Sequence, residues 1–265
     1  VATTAGTGSA GRWAPLWGSR PQAWAETEAQ QAPTYEEAIR RVGIRAGLRV
    51  LDIGCGSGVF LRMAADRGAE VAGLDASEAL LALARARVPE ADLRAGDMEA
   101  LPYGDDTFDV VTGFNAFFFA ADMVAALGEA RRVAKRGAAV VIQVWGDPGR
   151  CDLDAMKGVA RRYMPPPPPG ARPPAPLWSP GVLEGLVEEA GLTPEQAFDT
   201  RWAFEYADEQ ALLRGLLAAG GIGATAGPER EPELRAALVA ALAPFRTPGG
   251  GYRLENEWHY LVARA

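Results

Sequence analysis

Three carboxylates in the first hundred residues occupy similar places in the local pattern. Asp52 lies in the apolar run 48–53, two residues ahead of a glycine turn made of Gly54, Cys55, Gly56, Ser57 and Gly58. Asp75 closes the run 70–74 in the stretch GLDAS, and Asp97 follows the run 91–95 in GDMEALPYGDDTFD. Glycines at this spacing let a chain turn tightly and approach a ligand with no Cβ in the way. A turn that opens a helix also directs free N–H groups toward the ligand. A carboxylate at position 52 suits a ligand carrying an ammonium or sulfonium better than one carrying a pyrophosphate. Asp75, at the end of a second strand, is placed to accept both hydroxyls of a ribose. Asp97 could accept an adenine amino proton, with Met98 packing on the ring. Each acid alone reads equally well as a helix cap or a solvated loop. All three at successive strand ends after such a turn favour a nucleoside ligand.

The turn departs from the dinucleotide fingerprint. Its third glycine, Gly58, comes one residue early, and Val59 stands where that fingerprint has glycine. This disfavours a Rossmann oxidoreductase.

The elements that must hold these residues alternate. Strands are expected at 48–53, 70–74, 91–95, 108–114 and 138–144, with helices at 59–67, 77–88 and 121–135 between them. Strands and helices at this spacing give βαβ units, a mainly parallel sheet and helices on both faces. Ligands in such sheets sit outside the carboxyl ends of the strands. Residues 1–12 read as a disordered tail, and 13–265 as a single domain. Within it, 13–46 forms an N-terminal helical cover, 47–145 the ligand-binding core, 146–178 a proline-rich connector and 206–248 a helical insert. The run Pro165 to Pro169, extended by Pro173, Pro174 and Pro176, favours polyproline II. A sixth strand is expected at 200–206, and a last one at 252–264 with a break near 255–257.

Composition narrows the function. The chain has 265 residues, is 48% hydrophobic and carries a formal net charge of −7. That charge argues against nucleic acid as the partner, since a polyanion calls for a basic face. Two cysteines make no disulfide framework, and with one histidine they make no zinc site. No apolar run reaches the roughly 18 residues of a membrane span. A cytoplasmic protein without membrane or nucleic-acid partners, monomeric or homodimeric, is the expectation.

These stretches resemble the class I S-adenosylmethionine-dependent methyltransferases, in particular their ubiquinone/menaquinone-biosynthesis-like branch. The resemblance rests on VLDIGCGSG, GLDAS, AGDMEALPYGDDTFDVVTGFNAF and EARRVAKRGAAVVIQVW, which cover about residues 47–145. It implies a seven-stranded Rossmann-like α/β sheet with an antiparallel last strand and S-adenosylmethionine as cofactor. It also implies site roles. Asp52 with the backbone of Gly54, Cys55, Gly56, Ser57 and Gly58 would hold the methionine end. Asp75 and the adjoining Ala76 would lie at the ribose, and Asp97 with Met98 at the adenine. Phe114 and Asn115 would line the methionine pocket. The Asn-Pro-Pro-Tyr-type motif of amide and adenine methyltransferases is missing; Phe117, Phe118 and Phe119 stand there instead.

Methyl transfer is an in-line displacement at an activated carbon, so the protein mainly supplies proximity. A base is needed only where the nucleophile must lose a proton. His259, the only histidine, is the first candidate for it, although the last strand usually lies away from the crevice. Aromatic residues suggest a flat apolar or phenolic small-molecule acceptor held by Trp17, Phe118, Trp145, Trp178 and Trp202. Many of them could instead fill the core. Competing readings are S-adenosylmethionine-assisted chemistry without methylation, such as cyclisation, and a non-catalytic scaffold.

Overall fold

A computed structural model of the chain describes residues 8–163 and 175–265. Its centre is a sheet of β1 (Arg49–Ile53), β2 (Glu70–Asp75), β3 (Asp92–Ala95), β4 (Phe108–Phe114), β5 (Ala134–Trp145), β6 (Thr193–Tyr206) and β7 (Tyr252–Arg264). The strand order is β3-β2-β1-β4-β5-β7-β6. The first five strands pair in parallel, and β7 runs antiparallel to both β5 and β6. The fold is therefore the expected Rossmann-like, mainly parallel α/β sheet. Strand order reverses between β1 and β4, so the crevice opens over their carboxyl ends.

The central strands are apolar almost throughout because both faces are covered. On one face Val50, Val110, Val141, Trp258 and Tyr260 join a core with α3 (Ala32–Val42), α4 (Val59–Ala65), α7 (Asp154–Ala160), α9 (Glu209–Ala218) and α10 (Ile222–Leu242). On the other, Leu51, Val111, Val140, Ile142 and Leu261 pack with α6 (Met123–Val133) and α8 (Val182–Glu189). The helix between β2 and β3, α5 (Glu78–Arg87), starts where expected. The Ser77 hydroxyl accepts from the Leu80 amide at 3.4 Å. Asp122 and Asp208 cap α6 and α9 in the same way.

Several expected boundaries move. The tail does not reach residue 12: Ser9 is buried and α1 (Ala10–Trp17) starts at Ala10, because Asp97 accepts the Ala10 N–H at 2.9 Å. The helical cover begins with two helices, α1 and α2 (Pro21–Ala29). The stretch 146–163 is not a bare connector, since it carries α7. The five-proline run lies outside the described residues. β6 starts at Thr193, well before residue 200, and β7 has no break at 255–257, because the two strands pair along their whole length, with one irregularity at Pro194/Gln196. The helix α10 contains a kink at Gly227.

Candidate active site

The glycine turn follows β1 directly. Gly54 and Gly56 adopt left-handed φ of 76° and 53°, a region that costs other residues about 1–2 kcal/mol. Space forces glycine as well: a Cβ on Gly54 would stand 2.6 Å from the Ala116 Cβ, and one on Gly56 2.8 Å from a Glu28 carboxylate oxygen. Asp75 locks the turn from the next strand. One of its oxygens accepts the Gly56 N–H at 2.9 Å and the other the Ser77 N–H at 2.8 Å.

A cavity of about 440 Å³ extends from this turn across the carboxyl ends of the strands. Asp52, Gly54, Cys55, Gly56, Asp75, Ala76, Asp97, Met98, Phe114 and Asn115 line it. Ser57 and Gly58 are not among the lining residues; Ser57 is fully buried behind the turn. The structure thus brings most of the proposed cofactor residues to one wall. Asp97 is engaged from outside the core, accepting from the Ser9 hydroxyl at 3.2 Å and from the amides of Ala10 and Glu99.

Beyond Asn115 the wall turns aromatic. Trp17, Phe118 and Trp145 line the cavity, together with Trp13, Trp24, Phe119, Phe204 and Tyr206. Trp17 meets Trp24 edge-on at 4.6 Å between ring centroids, and Trp145 stacks on Trp258 at 5.5 Å. The helices α1 and α2 carry the tryptophans over the crevice by packing on α5, α9, α10 and the turn at 219–221.

Three expected residues lie elsewhere. Trp178 stands just before α8, which belongs to the opposite face of the sheet, and does not line the cavity. Trp202 lies on the outermost strand and is 45% exposed; Phe204 and Tyr206 supply that strand's aromatic contribution instead. His259 alternates with Trp258 and Tyr260, so its side chain leaves β7 on the face away from the cavity. There its Nδ1 lies 2.8 Å from an Asp199 oxygen. This removes His259 as the candidate base.

Other residues were not legible in the sequence. Glu28 on α2 is buried and accepts the Ser57 N–H at 2.8 Å. Burial pushes its carboxyl up to about 7, against the pull of the Ser57 and Val59 amides and of the Arg87 charge. Burial also raises Asp52 and Asp75, and for Asp52 the charges of Glu28 and Asp75 add to the rise. The Asp52 carboxylate accepts a hydrogen bond from the Thr112 hydroxyl at 2.7 Å. Asn115 ends β4 with φ of 51°, an uncommon region for any residue but glycine. Its amide donates to Gln143 at 3.2 Å and to Gln31 at 3.4 Å, and its Oδ1 is buried without a partner. Gln143 continues to Thr34 and Tyr260, so a polar chain ties α3 to β4, β5 and β7 beneath the cavity.

The described residues hold no group of three or more His, Cys, Asp and Glu that could bind a metal, and no helix long and apolar enough to cross a membrane. Both cysteines are free and buried.

Comparison with known proteins agrees with this geometry. A family model described as a methyltransferase domain matches residues 51–142, from β1 into β5. The ubiquinone biosynthesis O-methyltransferase of Ruegeria sp. (strain TM1040) is 30% identical over 190 residues, 69% of this chain and 76% of that protein. The uncharacterized protein Rv1405c of Mycobacterium tuberculosis is 30% identical over 251 residues, 90% of this chain and 88% of its own length. Among solved structures, YcgJ of Bacillus subtilis superposes with a TM-score of 0.58 at 21% identity, covering 88% of this chain and 97% of that one. Sheet order, glycine turn and sequence relatives all lead to one family: the chain belongs to the class I S-adenosylmethionine-dependent methyltransferases.

Proposed function

We propose that the protein transfers a methyl group from S-adenosylmethionine to an oxygen or carbon of a small, partly apolar or aromatic acceptor. The observation that carries this reading is the continuity of the cavity, which runs from the glycine turn and its acids into an aromatic chamber. The residues fit the cofactor: the turn leaves no room for side chains at Gly54 and Gly56, and the acids Asp52 and Asp75 line the cavity, where they would meet a ligand of positive charge. Asp52 and the turn would hold the methionine end between Phe114 and Asn115. Asp75 would hold the ribose, and Asp97 with Met98 the adenine, once the contacts from Ser9 and Ala10 yield. When bound, the cofactor supplies an activated methyl group.

The chain's own contribution is placement. Trp17, Phe118 and Trp145 would hold the acceptor in line, while α1 and α2 exclude water from the reacting centre. The relative from Ruegeria is named as an O-methyltransferase of ubiquinone biosynthesis, which supports an oxygen on a ring as the acceptor.

The cofactor reading is tested by thermal or chemical denaturation with added nucleotides. S-adenosylhomocysteine at a hundredfold excess over its Kd is expected to stabilise the protein by about 2.7 kcal/mol. NAD is expected to have no effect. Stabilisation by NAD with none by S-adenosylhomocysteine would overturn the assignment.

A further inference from the structure

We propose, on the cofactor reading above, that Glu28 recognises the α-ammonium of the cofactor's methionine end. Through it the N-terminal cover would read the bound ligand directly. Glu28 belongs to α2, outside the strand-turn-helix unit that carries the glycine turn, yet its carboxylate is seated on that turn. One oxygen accepts the Ser57 N–H at 2.8 Å and stands 2.8 Å from where a Cβ on Gly56 would be. The carboxylate therefore closes the cavity wall beside Gly56.

The chemistry of that wall selects a donor of hydrogen bonds. At the turn end the lining offers acceptors: Glu28, Asp52 and Asn115, whose Oδ1 is buried with no donor. The lining cations, Lys157 and Arg161, belong to α7 and the residue after it, while Arg87, outside the lining, is tied to the backbone and hydroxyl oxygens of Ser57. An ammonium brings three N–H donors and a positive charge to this set. A ligand carboxylate brings neither, and the Ser57 N–H that could have received it is already taken by Glu28.

The substitution Glu28→Gln separates charge from shape. Glutamine is isosteric, and its carbonyl oxygen can still accept the Ser57 N–H, so the turn keeps its support. Binding of three ligands is measured by calorimetry on the full chain. These are S-adenosylhomocysteine, its deaminated analogue that keeps the carboxylate, and 5′-methylthioadenosine, which lacks the whole amino-acid end. S-adenosylhomocysteine is expected to bind Glu28→Gln about tenfold or more weakly, the loss of one hydrogen bond to a charged group. The other two ligands are expected to keep their Kd within about twofold.

Equal weakening of all three ligands would make Glu28 a prop for the turn and overturn the proposal. Unchanged affinity for S-adenosylhomocysteine would do the same. Tighter binding of it would mean that Glu28 competes with the ligand carboxylate for the Ser57 amide, also against the proposal. Failure of the unmodified protein to bind S-adenosylhomocysteine would overturn the cofactor reading first, which keeps the two outcomes distinct.

Discussion

Replacing Asp75 by Ala is expected to weaken S-adenosylhomocysteine binding by between about a hundredfold and ten-thousandfold. The figure comes from two ribose hydroxyls, each losing a hydrogen bond to a half-buried carboxylate at roughly 1.5–3 kcal/mol per bond. Both Asp75 oxygens already accept backbone amides, from Gly56 and Ser77. A carboxylate has about four lone-pair sites, so two remain for the ligand. Those amide contacts also hold the turn, and Ala leaves both N–H groups without their acceptor. A stability loss of about 1–3 kcal/mol for each is expected alongside the affinity loss. The two effects are separated by repeating the titration with the 2′-deoxy analogue of S-adenosylhomocysteine. In the unmodified protein the missing hydroxyl should cost affinity; in Asp75→Ala it should cost almost nothing. If the deoxy penalty survived the substitution, or the parent ligand bound both proteins alike, Asp75 would not be the ribose acceptor.

What could be read in the sequence divides along a physical line. The βαβ core was legible because its signals are local. A strand buried on both faces is a continuous apolar run, a helix start shows as Ser77 ahead of its helix, and a tight turn requires glycine. Asp52, Asp75 and Asp97 could be placed because the parallel topology puts every strand's carboxyl end at the same rim. Residues that reach the site by tertiary packing left no such mark. Glu28, Gln31 and Thr34 recur at helical spacing in the N-terminal segment, and a polar stripe of that kind reads as a solvated face. All three are buried against the turn and the sheet. The aromatic residues failed in the opposite direction. Trp178 and Trp202 are as large and apolar as Trp17 and Trp145, and only the third dimension decides which of them meets the cavity. Pairing over the full length of β6 and β7 was hidden as well. The polar run Glu255 to Glu257 suggested a break, but Glu255 faces solvent, while Asn256 and Glu257 are buried and find partners in the segment 147–153.

The ligand-free protein is expected to lose stability as pH rises from about 5 to about 7.5. The source is the same buried acid that faces the turn. Glu28 has its carboxyl raised from 4.5 to about 7, chiefly by burial. In the unfolded chain this group ionises near its ordinary value, while in the folded chain it keeps its proton until near neutrality. Between those limits the folded state binds more protons, so the free energy of unfolding falls with rising pH and levels off above about 7. A carboxyl raised from 4.5 to about 7 corresponds to an effect of roughly 3 kcal/mol from Glu28. Asp52 and Asp75, also raised, act in the same direction. Glu37, Asp109, Glu129 and Glu231 have lowered values from their Arg and Lys partners, so their contribution is lost only at pH below the ordinary carboxylate range, outside this window. Urea denaturation across the range measures the slope. Glu28→Gln cannot ionise and should flatten it, leaving the variant at least as stable as the parent at the alkaline end. Saturating S-adenosylhomocysteine should flatten it too, by giving the ionised carboxylate a cation to face. A ligand-free protein whose stability stayed level or rose over this range, or a slope that Glu28→Gln left intact, would show that Glu28 carries its charge in the fold at no cost.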